Sequence, residues 1–326
     1  MCKRIRKIVF GHVAMAIALA IAPAHAQSDY PNKPIKMIVG FGAGGSTDVI
    51  ARIISEGLAV RLGQPVVVDN RPGAAGNLSA GIVARSAPDG YTLYMAAVGL
   101  ATTAAFDPKA LHAHPVDDFS HISLVAFTPN VLVVGEKHNF RTVQDVIAMA
   151  KREPGKLSFG SSGVGGGLHL TGEMFKVKAG IDMIHVPYKG IPPAISDVIG
   201  GNLDMLFDNV STSLPHIKGG RLRALAVTSK QRIPDLPDVP TMAEAGIPDL
   251  EAGAWFGVVG PARMPAEIVS RLSGYISAIL DDPKTVERFK GMSILVLKGG
   301  PAEFKEYVRN DIIRWKSVVD AAGVKP

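Results

Sequence analysis

The sequence predicts an α/β fold built from two units, each a mostly parallel sheet covered by helices. Short apolar runs that suit buried strands alternate with longer stretches in which apolar residues recur at helical spacing. A glycine-rich loop also follows a strand and precedes a helix once in each unit, at residues 40–48 and 160–167. Such loops direct backbone N–H groups at an anion, so two of them predict a ligand in a cleft between the units.

The first unit is predicted from the order strand–helix–strand–helix–strand. The apolar run IKMIVGF is followed by a helical stripe over 46–62 and by a second strand, PVVVDN. The turn RPGAAGN then leads to a helix over 78–87 and to the strand YTLYMAA. This order is typical of a parallel sheet covered by helices.

The middle of the chain repeats this plan, and helices close it. Strands are predicted in the runs NVLVVGE, KLSFG, IDMIHVPYKG, GNLDMLFDN, LRALAVTS and AWFGVVGPA. Between them, helices are predicted in the segment TVQDVIAMAKREPG, after the loop GSSGVGGG and from about Pro193 to Ile199. Thr241 and Glu244 form a capping box that predicts a short helix, and two further helices are expected over 265–281 and about 302–321.

The first 26 residues are predicted to be a secretory signal peptide. MCKRIRK is a cationic n-region, the apolar core behind it is too short for a membrane span, and AHA at 24–26 is a small-x-small cleavage site. No Arg-Arg pair precedes the core, which favours Sec export with cleavage after Ala26. We therefore expect an exported protein without a membrane-spanning segment.

Cleavage would change both the net charge and the cysteine content. Four of the 35 basic residues lie in the signal peptide, which leaves 31 against 29 acidic residues, a net charge of +2. This balance predicts binding to neither nucleic acid nor a membrane surface. Cys2, the only cysteine, is removed as well, so the mature chain has no disulfide, no cysteine nucleophile and no cysteine metal site.

The first loop also matches the fingerprint of a dinucleotide-binding turn. Gly40, Gly42 and Gly45 spell G-x-G-x-x-G behind a strand, and Asp69 follows at the end of the next strand, where it could hold a ribose hydroxyl. Export without a twin-arginine signal argues against a nicotinamide enzyme. The second glycine-rich loop is also unexplained by that hypothesis.

Two other kinds of site fit the residues less well. The segment Gly160-Ser161-Ser162-Gly163-Val164 misses the G-x-S-x-G nucleophile elbow by one position, and no acid evidently faces His169. The segment HAHP at 112–115 lacks a third ligand at a spacing that binds metal. We therefore expect no catalytic residues, no metal and no cofactor, with an exported hydrolase as the alternative.

In motif order the chain resembles the Bug (TctC-like) family of periplasmic solute-binding proteins of tripartite tricarboxylate transport systems. The resemblance rests on YPNKPIKMIVGFGAGGSTDVIAR, LGQPVVVDNRPGAAGN, APDGYTL, AKREPGKLSFGSSGVGGGLHL, HVPYKG, IGGNLDMLFDN, LRALAVTS, LPDVPTMAEAG and AAGVKP, and it covers essentially the whole mature chain.

The resemblance implies a two-domain periplasmic-binding-protein fold, or Venus flytrap, joined by crossing strands. Domain 1 would combine residues 27–127 with 253–326, and domain 2 would be residues 128–252. The implied function is capture of a small carboxylate in the interdomain cleft, followed by closure for delivery to the membrane permease. The implied protein is a periplasmic monomer without enzymatic activity.

The resemblance also implies which residues contact the ligand. The family holds a carboxylate through both glycine-rich loops, and the ligand's distal end is expected to meet domain 2. The residues at these positions are Phe41, Gly42, Ala43, Gly44, Gly45, Ser46, Thr47, Asp48, Ala97, Ser161, Ser162, Gly163, Val164, Gly165, Gly166, His169, Tyr188, Lys189, Gly190 and Asp208. Gly40 and Ala43 stand where the family commonly has proline, so we expect a more flexible first loop and do not infer which acid is bound.

Overall fold

The computed structural model describes residues 30–326, and residues 33–326 form one compact unit. The predicted signal peptide, residues 1–26, lies outside the described residues. None of the helices in the described part of the chain is long and apolar enough to cross a membrane.

Strands and helices alternate from Ile35 onwards. The chain first forms β1 (Ile35–Val39), α1 (Ser46–Leu62), β2 (Val66–Asn70), α2 (Asn77–Ala84), β3 (Thr92–Ala97), α3 (Gly99–Phe106) and β4 (Phe119–Val134). It continues with α4 (Val143–Arg152), β5 (Ser158–Ser161), α5 (Gly167–Ala179), β6 (Ile184–Pro187), α6 (Ile191–Gly200), β7 (Met205–Asn209), α7 (Val210–Lys218) and β8 (Arg223–Val227). The C-terminal part forms β9 (Gly253–Pro261), α8 (Ala266–Leu280), α9 (Pro283–Lys290), β10 (Leu295–Gly299) and α10 (Pro301–Ala322).

The long strand β4 joins two groups of strands into one curled sheet. The strand order is β2-β1-β3-β9-β4-β7-β5-β6, and β8 and β10 also pair with β4. Residues 119–129 of β4 pair with β9, whereas residues 130–134 pair with β7. We call β1–β3, β9 and β10 with their helices the first half, and β5–β8 with their helices the second half.

The α/β class is confirmed, and the sheet is mixed in direction. Parallel pairs join β1 to β2 and β3, and join β5 to β6 and β7. Every pairing of β4 and β9 is antiparallel. As a result, the carboxyl ends of β1 and β5, where the two glycine-rich loops begin, approach the middle of the sheet from opposite halves.

The last helix covers the first half of the sheet. Phe304 is fully buried, and its ring lies so close to β9 that a Cβ atom on Gly257 would come within 2.3 Å of it. Trp255, also on β9, donates its indole N–H to Asp311 Oδ2 at 2.8 Å. The apolar stripe predicted for this helix therefore packs against β9.

Several predicted elements differ from the observed ones. The strand predicted at 130–136 begins at Phe119, because β4 crosses the boundary between the halves without a turn. Thr241 and Glu244 form both hydrogen bonds of the predicted capping box, yet residues 242–246 make turns and no helix. The sequence analysis also missed α3, α7, α9 and β10, which are short elements.

Candidate functional site

The first glycine-rich loop connects β1 to α1. A Cβ atom on Gly40 would lie 2.5 Å from Gly76 Cα, so glycine is required there by packing. Helix α1 starts after Gly45, and no side chain caps its N-terminus. The first N–H groups of a helix have no partner within the helix, so those of Ser46 and Thr47 are directed outwards.

Asp48 stabilises this loop through hydrogen bonds and does not line the cavity. Its carboxylate accepts hydrogen bonds from Gly44 N–H at 2.9 Å and from Asn70 Nδ2 at 2.9 Å. Arg52 pairs with the same carboxylate at 2.9 Å, and Asn70 also donates to the carbonyl of Phe41 at 3.1 Å. Residue 48 is therefore a positioning residue in this structure, and its expected direct contact with a ligand stays a prediction.

Hydrogen bonding keeps Asp48 ionised. Burial alone would raise the pKa of this carboxyl, but the hydrogen bonds from Arg52, Gly44 and Asn70 outweigh burial and hold the pKa below its ordinary value. A carboxylate whose oxygens are all engaged this way repels a bound anion less, because its charge is neutralised by Arg52.

The second loop connects β5 to α5 and, like the first, leads from a strand into a helix. Helix α5 starts after Gly166, again without a side-chain cap. Gly165 has φ +74°, a left-handed conformation that an L-residue rarely adopts, so the turn into the helix needs glycine. The N–H groups of Gly167 and Leu168 are thereby left without partners in the helix, as at α1.

A buried serine and two histidines fix this loop. Ser161 Oγ lies 2.7 Å from His185 Nε2 and accepts the N–H of Gly163 at 3.1 Å. The ring of His185 lies against that of His169, with centroids 4.0 Å apart. His169 Nδ1 in turn accepts the N–H of Gly165 at 3.1 Å.

Both histidines are neutral at physiological pH. Burial lowers the pKa of His169 to about 3, with help from His185 and Lys176. Burial also lowers the pKa of His185 to about 4, with Lys176 again adding to the shift. A neutral ring is required for His169 Nδ1 to accept a hydrogen bond from Gly165. His169 is thus a positioning residue in this structure, and its expected direct contact with a ligand stays a prediction.

The starts of α1 and α5 line one buried cavity between the halves, with a volume of about 40 Å³. The lining residues carry no ionised side chain, and they are Phe41, Gly42, Gly45, Ser46, Thr47, Ala97, Val98, Gly99, Asn130, Ser162, Gly166, Gly167, Leu168, Ile191, Asn209, Gly253, Ala254 and Phe256. The starts of α3, α6 and α7 line the same cavity, also without side-chain caps. The positive ends of these five helix dipoles and neutral polar groups therefore determine the cavity's electrostatics.

A chain of buried polar side chains runs along one wall of the cavity. Thr171 Oγ1 donates to Asn130 Oδ1 at 3.2 Å, and Asn130 Nδ2 donates to Asn209 Oδ1 at 2.8 Å. Asn209 Nδ2 then donates to Ser46 Oγ at 3.1 Å. These bonds fix the orientation of both amides, so the wall presents an ordered set of donors and acceptors.

The two halves touch across the cavity. Ser46 Oγ lies 2.8 Å from Ser211 Oγ and 2.6 Å from Thr212 Oγ1, both at the start of α7. Gly42 N–H donates to the carbonyl oxygen of Lys189 at 3.3 Å. The described arrangement is therefore a closed one.

The structure brings eight of the twenty predicted ligand residues to the cavity wall. They are Phe41, Gly42, Gly45, Ser46, Thr47, Ala97, Ser162 and Gly166. Five others line a neighbouring cavity, namely Gly163, Val164, Gly165, Tyr188 and Lys189. Ala43, Gly44, Asp48, Ser161, His169, Gly190 and Asp208 line neither of these two cavities.

Asp208 organises the start of α7 and does not face the ligand site. It is fully buried, accepts the N–H of Asn209 at 2.7 Å and accepts the hydroxyl of Ser213 at 2.6 Å. Burial raises its pKa to about 7, although both hydrogen bonds oppose the shift. Its neighbour Asn209 lines the cavity wall.

Several wall residues are not predicted from the sequence. Asn130 begins a predicted strand and Asn209 ends another, so both look structural from the sequence alone. The small residues Gly99, Gly253 and Ala254 reach the cavity because β9 and α3 pass beside it. Their place at the cavity depends on the pairing of β9 with β3 and β4, and a single sequence does not reveal that pairing.

The alternative sites gain no support from the described residues. Asp69 is engaged by Arg71 at 2.9 Å on the surface, away from the cavity. Ser161, the serine paired with a histidine, is fully buried, so a substrate cannot reach its hydroxyl. Among residues 30–326, no three or more His, Cys, Asp or Glu residues cluster as metal ligands would.

Solved structures of other proteins share this architecture. The chain is similar to R. palustris Rpa4515 with adipate, with a TM-score of 0.88, 34% identity and coverage of 91% of this chain and 99% of that one. It is also similar to MatC (Rpa3494) from Rhodopseudomonas palustris with bound malate, with a TM-score of 0.85, 30% identity and coverage of 89% and 100%.

Comparison of amino-acid sequences also finds related proteins. Protein BugT of Bordetella pertussis is 37% identical over 319 residues, which span 96% of each chain. The family model described as tripartite tricarboxylate transporter family receptor, TctC, matches residues 50–324. This chain therefore belongs to the TctC family of tripartite tricarboxylate transporter receptors, to which the Bug-type binding proteins are related.

Proposed function

We propose that this protein is a solute-binding receptor that captures a small carboxylate between the N-termini of α1 and α5. One observation carries the proposal: two helices that lack side-chain caps begin at the wall of the same cavity. Each helix N-terminus behaves as about half a positive charge and offers unpaired N–H donors. Together they are suited to an anion with one or two carboxylate groups.

The neutral lining supports a carboxylate in preference to a cation or an apolar ligand. Ser46, Thr47 and Ser162 offer hydroxyl donors, and Asn130 and Asn209 offer amides. Rpa4515 with adipate and MatC with malate belong to the same structural type, and both ligands are dicarboxylates. We therefore assign the substrate class as small carboxylates.

The transporter role is proposed from the family. Its description is that of a receptor of tripartite tricarboxylate transporters, so the partner we infer is a membrane permease of that type. We propose that the protein acts in the periplasm as a monomer, after removal of residues 1–26, and binds its ligand without chemical change.

Binding and release require the halves to move. We propose that the domains are residues 27–127 with 253–326, and residues 128–252, hinged where β4 passes from one half to the other. The contacts of Ser46 with Ser211 and Thr212 and of Gly42 with Lys189 close the cavity. They must break for a ligand to enter, so the ligand is expected to favour the closed form.

The proposed function is tested by the ligand that the protein retains. Protein purified without added acids is denatured, and the released small molecules are analysed by mass spectrometry. A carboxylic acid released in proportion to the protein, and rebound by refolded protein in a calorimetric titration, is the expected result. Conversion of that acid to another compound on incubation would show an enzyme instead.

Blocking the start of α1 should abolish binding. Gly45 has extended backbone angles, φ −78° and ψ 167°, so a Gly45→Val chain can fold while its side chain enters the cavity wall. We expect at least a tenfold loss of affinity by calorimetry. Asp69→Ala is the matched control and should bind normally. Loss in the control alone would favour the dinucleotide hypothesis.

The buried His169 should make stability depend on pH. Its pKa in the folded protein is about 3, well below the ordinary 6.5. As the pH falls below 6.5, the unfolded chain takes up a proton at residue 169, whereas the folded chain does not. The contribution of His169 to the unfolding free energy is therefore complete above pH 6.5 and is lost as the pH falls towards 3.

A comparison with His169→Gln isolates this contribution, because the glutamine oxygen can still accept the N–H of Gly165 but does not titrate. Between pH 6.5 and 5, the unfolding free energy of the wild type should fall relative to that of the variant by roughly 1.1 kcal/mol per pH unit on average, because the unfolded histidine is only half protonated at pH 6.5. The opposite trend expected from Asp208, whose pKa is raised, cancels in the difference. The unfolding free energies of the wild type and of His169→Gln are measured by urea unfolding at both pH values. An equal change in the two proteins between pH 6.5 and 5 would contradict the assignment.

Ligand-induced closure should be visible in solution. We expect X-ray scattering to give a smaller radius of gyration when the retained acid is added back to ligand-free protein. The melting temperature should rise as well, in line with about 2.7 kcal/mol of stabilisation at a hundredfold excess over Kd. An unchanged radius at saturating acid would show that the halves do not hinge.

A further inference from the structure

Asp208 is a fully buried carboxyl group that no cation neutralises. Its oxygens accept the N–H of Asn209 at 2.7 Å and the hydroxyl of Ser213 at 2.6 Å, both at the start of α7. Among residues 30–326 it forms no ion pair, and no neighbouring charge contributes to the shift of its pKa. Asp48, by contrast, pairs with Arg52 at 2.9 Å. Buried carboxylates are rare unless they are paired, so the charge state of Asp208 needs a physical account.

Strand geometry directs this carboxyl group towards α6 and α7. Phe207, its neighbour in β7, packs on Phe175 of α5 with ring centroids 5.5 Å apart. Side chains alternate along a strand, so Asp208 lies on the opposite face, which it shares with Leu206. Leu206 belongs to an apolar cluster that includes Val210 of α7. These surroundings disfavour the ion, and burial raises the pKa of Asp208 to about 7.

The titratable groups on the facing helices have other partners or positions. On α6, Asp197 accepts a tyrosine hydroxyl at 2.7 Å. On α7, His216 and Lys218 lie in the last turn, and Lys218 pairs with Asp235 at 3.1 Å. None of these groups hydrogen-bonds to Asp208 among the residues that the structure describes.

The other elements packed against β7 add no charge on this face. Residues 130–134 of β4 and all of β5 contain no titratable side chain. Helix α5 packs on the opposite face of β7. Its titratable residues are His169, Glu173, Lys176 and Lys178. An anion that enters the cavity is therefore the main change of charge that Asp208 experiences near neutral pH.

The start of α7 connects Asp208 to the carboxylate cavity. Asn209, the next residue, lines the cavity, and Ser211 and Thr212 in the first turn contact Ser46 across it. A helix start carries about half a positive charge, whereas an ionised carboxyl group carries a full negative one. Ionised Asp208 thus makes this part of the wall oppose an anion. Protonated Asp208 leaves the dipole of α7 free to attract the anion.

We propose that Asp208 couples the capture of a carboxylate to the uptake of one proton, so that the protein binds its acid more tightly at low pH than at high pH. The inference rests on the proposed function, since a carboxylate must occupy the cavity. Two buried carboxylates without a cation repel each other, so the incoming anion favours the neutral form of Asp208. The proton comes from solvent, and the protonated carboxyl group donates it in a hydrogen bond to Ser213.

The first test counts protons with wild-type protein and malate as the probe. Carboxyl groups ordinarily ionise near about pH 4, so malate stays ionised above pH 6.5. Calorimetric titrations at pH 8 in HEPES and in Tris differ in heat by the number of protons exchanged with the buffer. We expect an uptake of roughly half a proton or more per malate bound. An uptake of zero would overturn the inference.

The second test removes the titrating group. In Asp208→Asn, the amide oxygen can still accept the N–H of Asn209 and the amide N–H can donate to Ser213, but the side chain does not titrate. The wild-type affinity for malate should fall by about tenfold between pH 6.5 and 8.5, whereas that of the variant should stay level. At pH 8.5 the variant should therefore bind more tightly than the wild type. A purely structural role would weaken binding by the variant at every pH.

Asp145→Asn is the matched control. Asp145 also lies in the first turn of a helix, α4, but it is exposed and does not line the cavity. This variant should keep the wild-type dependence on pH. Carbon-13 NMR of the Asp208 carboxyl group in the wild type tests the coupling without any variant. At pH 8 the protonated form should predominate only when malate is bound.

The outcomes separate the two proposals. If malate binds the wild type at no pH, both are contradicted. If malate binds with affinity independent of pH, or if Asp208→Asn keeps the wild-type dependence on pH, the proposed function stands and the coupling is wrong. If the variant does not fold, the proton count and the NMR titration of the wild type decide.

Discussion

The site depends on two buried helix N-termini that the chain itself leaves uncapped. A helix usually begins at Ser, Thr, Asp or Asn, whose side chain satisfies one of the free N–H groups. Here Gly45 and Gly166 occupy that position, and both helices start at the same cavity. An unpaired buried donor costs about 1–3 kcal/mol, so the empty cavity is unfavourable and an anion relieves that cost. The proposed preference for a carboxylate thus follows from the backbone N–H groups that have no partner at the starts of these helices.

Donors on flexible glycine-rich loops bind selectively only if the loops are held in place, and the two loops are held by different chemistry. Behind the first loop, the ionised Asp48 receives Gly44 N–H, and Arg52 neutralises it. Behind the second, the neutral His169 receives Gly165 N–H and lies against His185. Neither arrangement adds net charge next to the cavity. The dipoles of α1 and α5, with those of α3, α6 and α7 that start at the same wall, therefore remain the positive features there.

Local sequence patterns predicted most of the fold and about half of the site. The helix over 46–62 and the two loops follow from periodicity and glycine spacing, which are local properties. The length of β4 and the cavity residues Asn130 and Asn209 depend on strand pairing across the halves, so no local pattern marks them. Asp48 and His169 lie in the first turns of α1 and α5, and each accepts an N–H of the adjoining loop. Which hydrogen-bond partner a buried side chain finds depends on packing, and sequence position alone does not reveal it.

The absence of a cationic side chain from the carboxylate cavity, within the part of the chain that the structure describes, suits a protein that must release what it binds. A buried lysine or arginine would suffer a large desolvation penalty whenever the cavity was empty, and would attract any anion strongly in a medium of low dielectric constant. Helix dipoles carry only partial charges and are already fixed by the fold, so an empty cavity requires no buried ion. Binding energy then comes from several directed hydrogen bonds contributed by both halves. In the proposed function, separating the halves would remove many of these bonds at once, and opening the cleft would therefore release the acid.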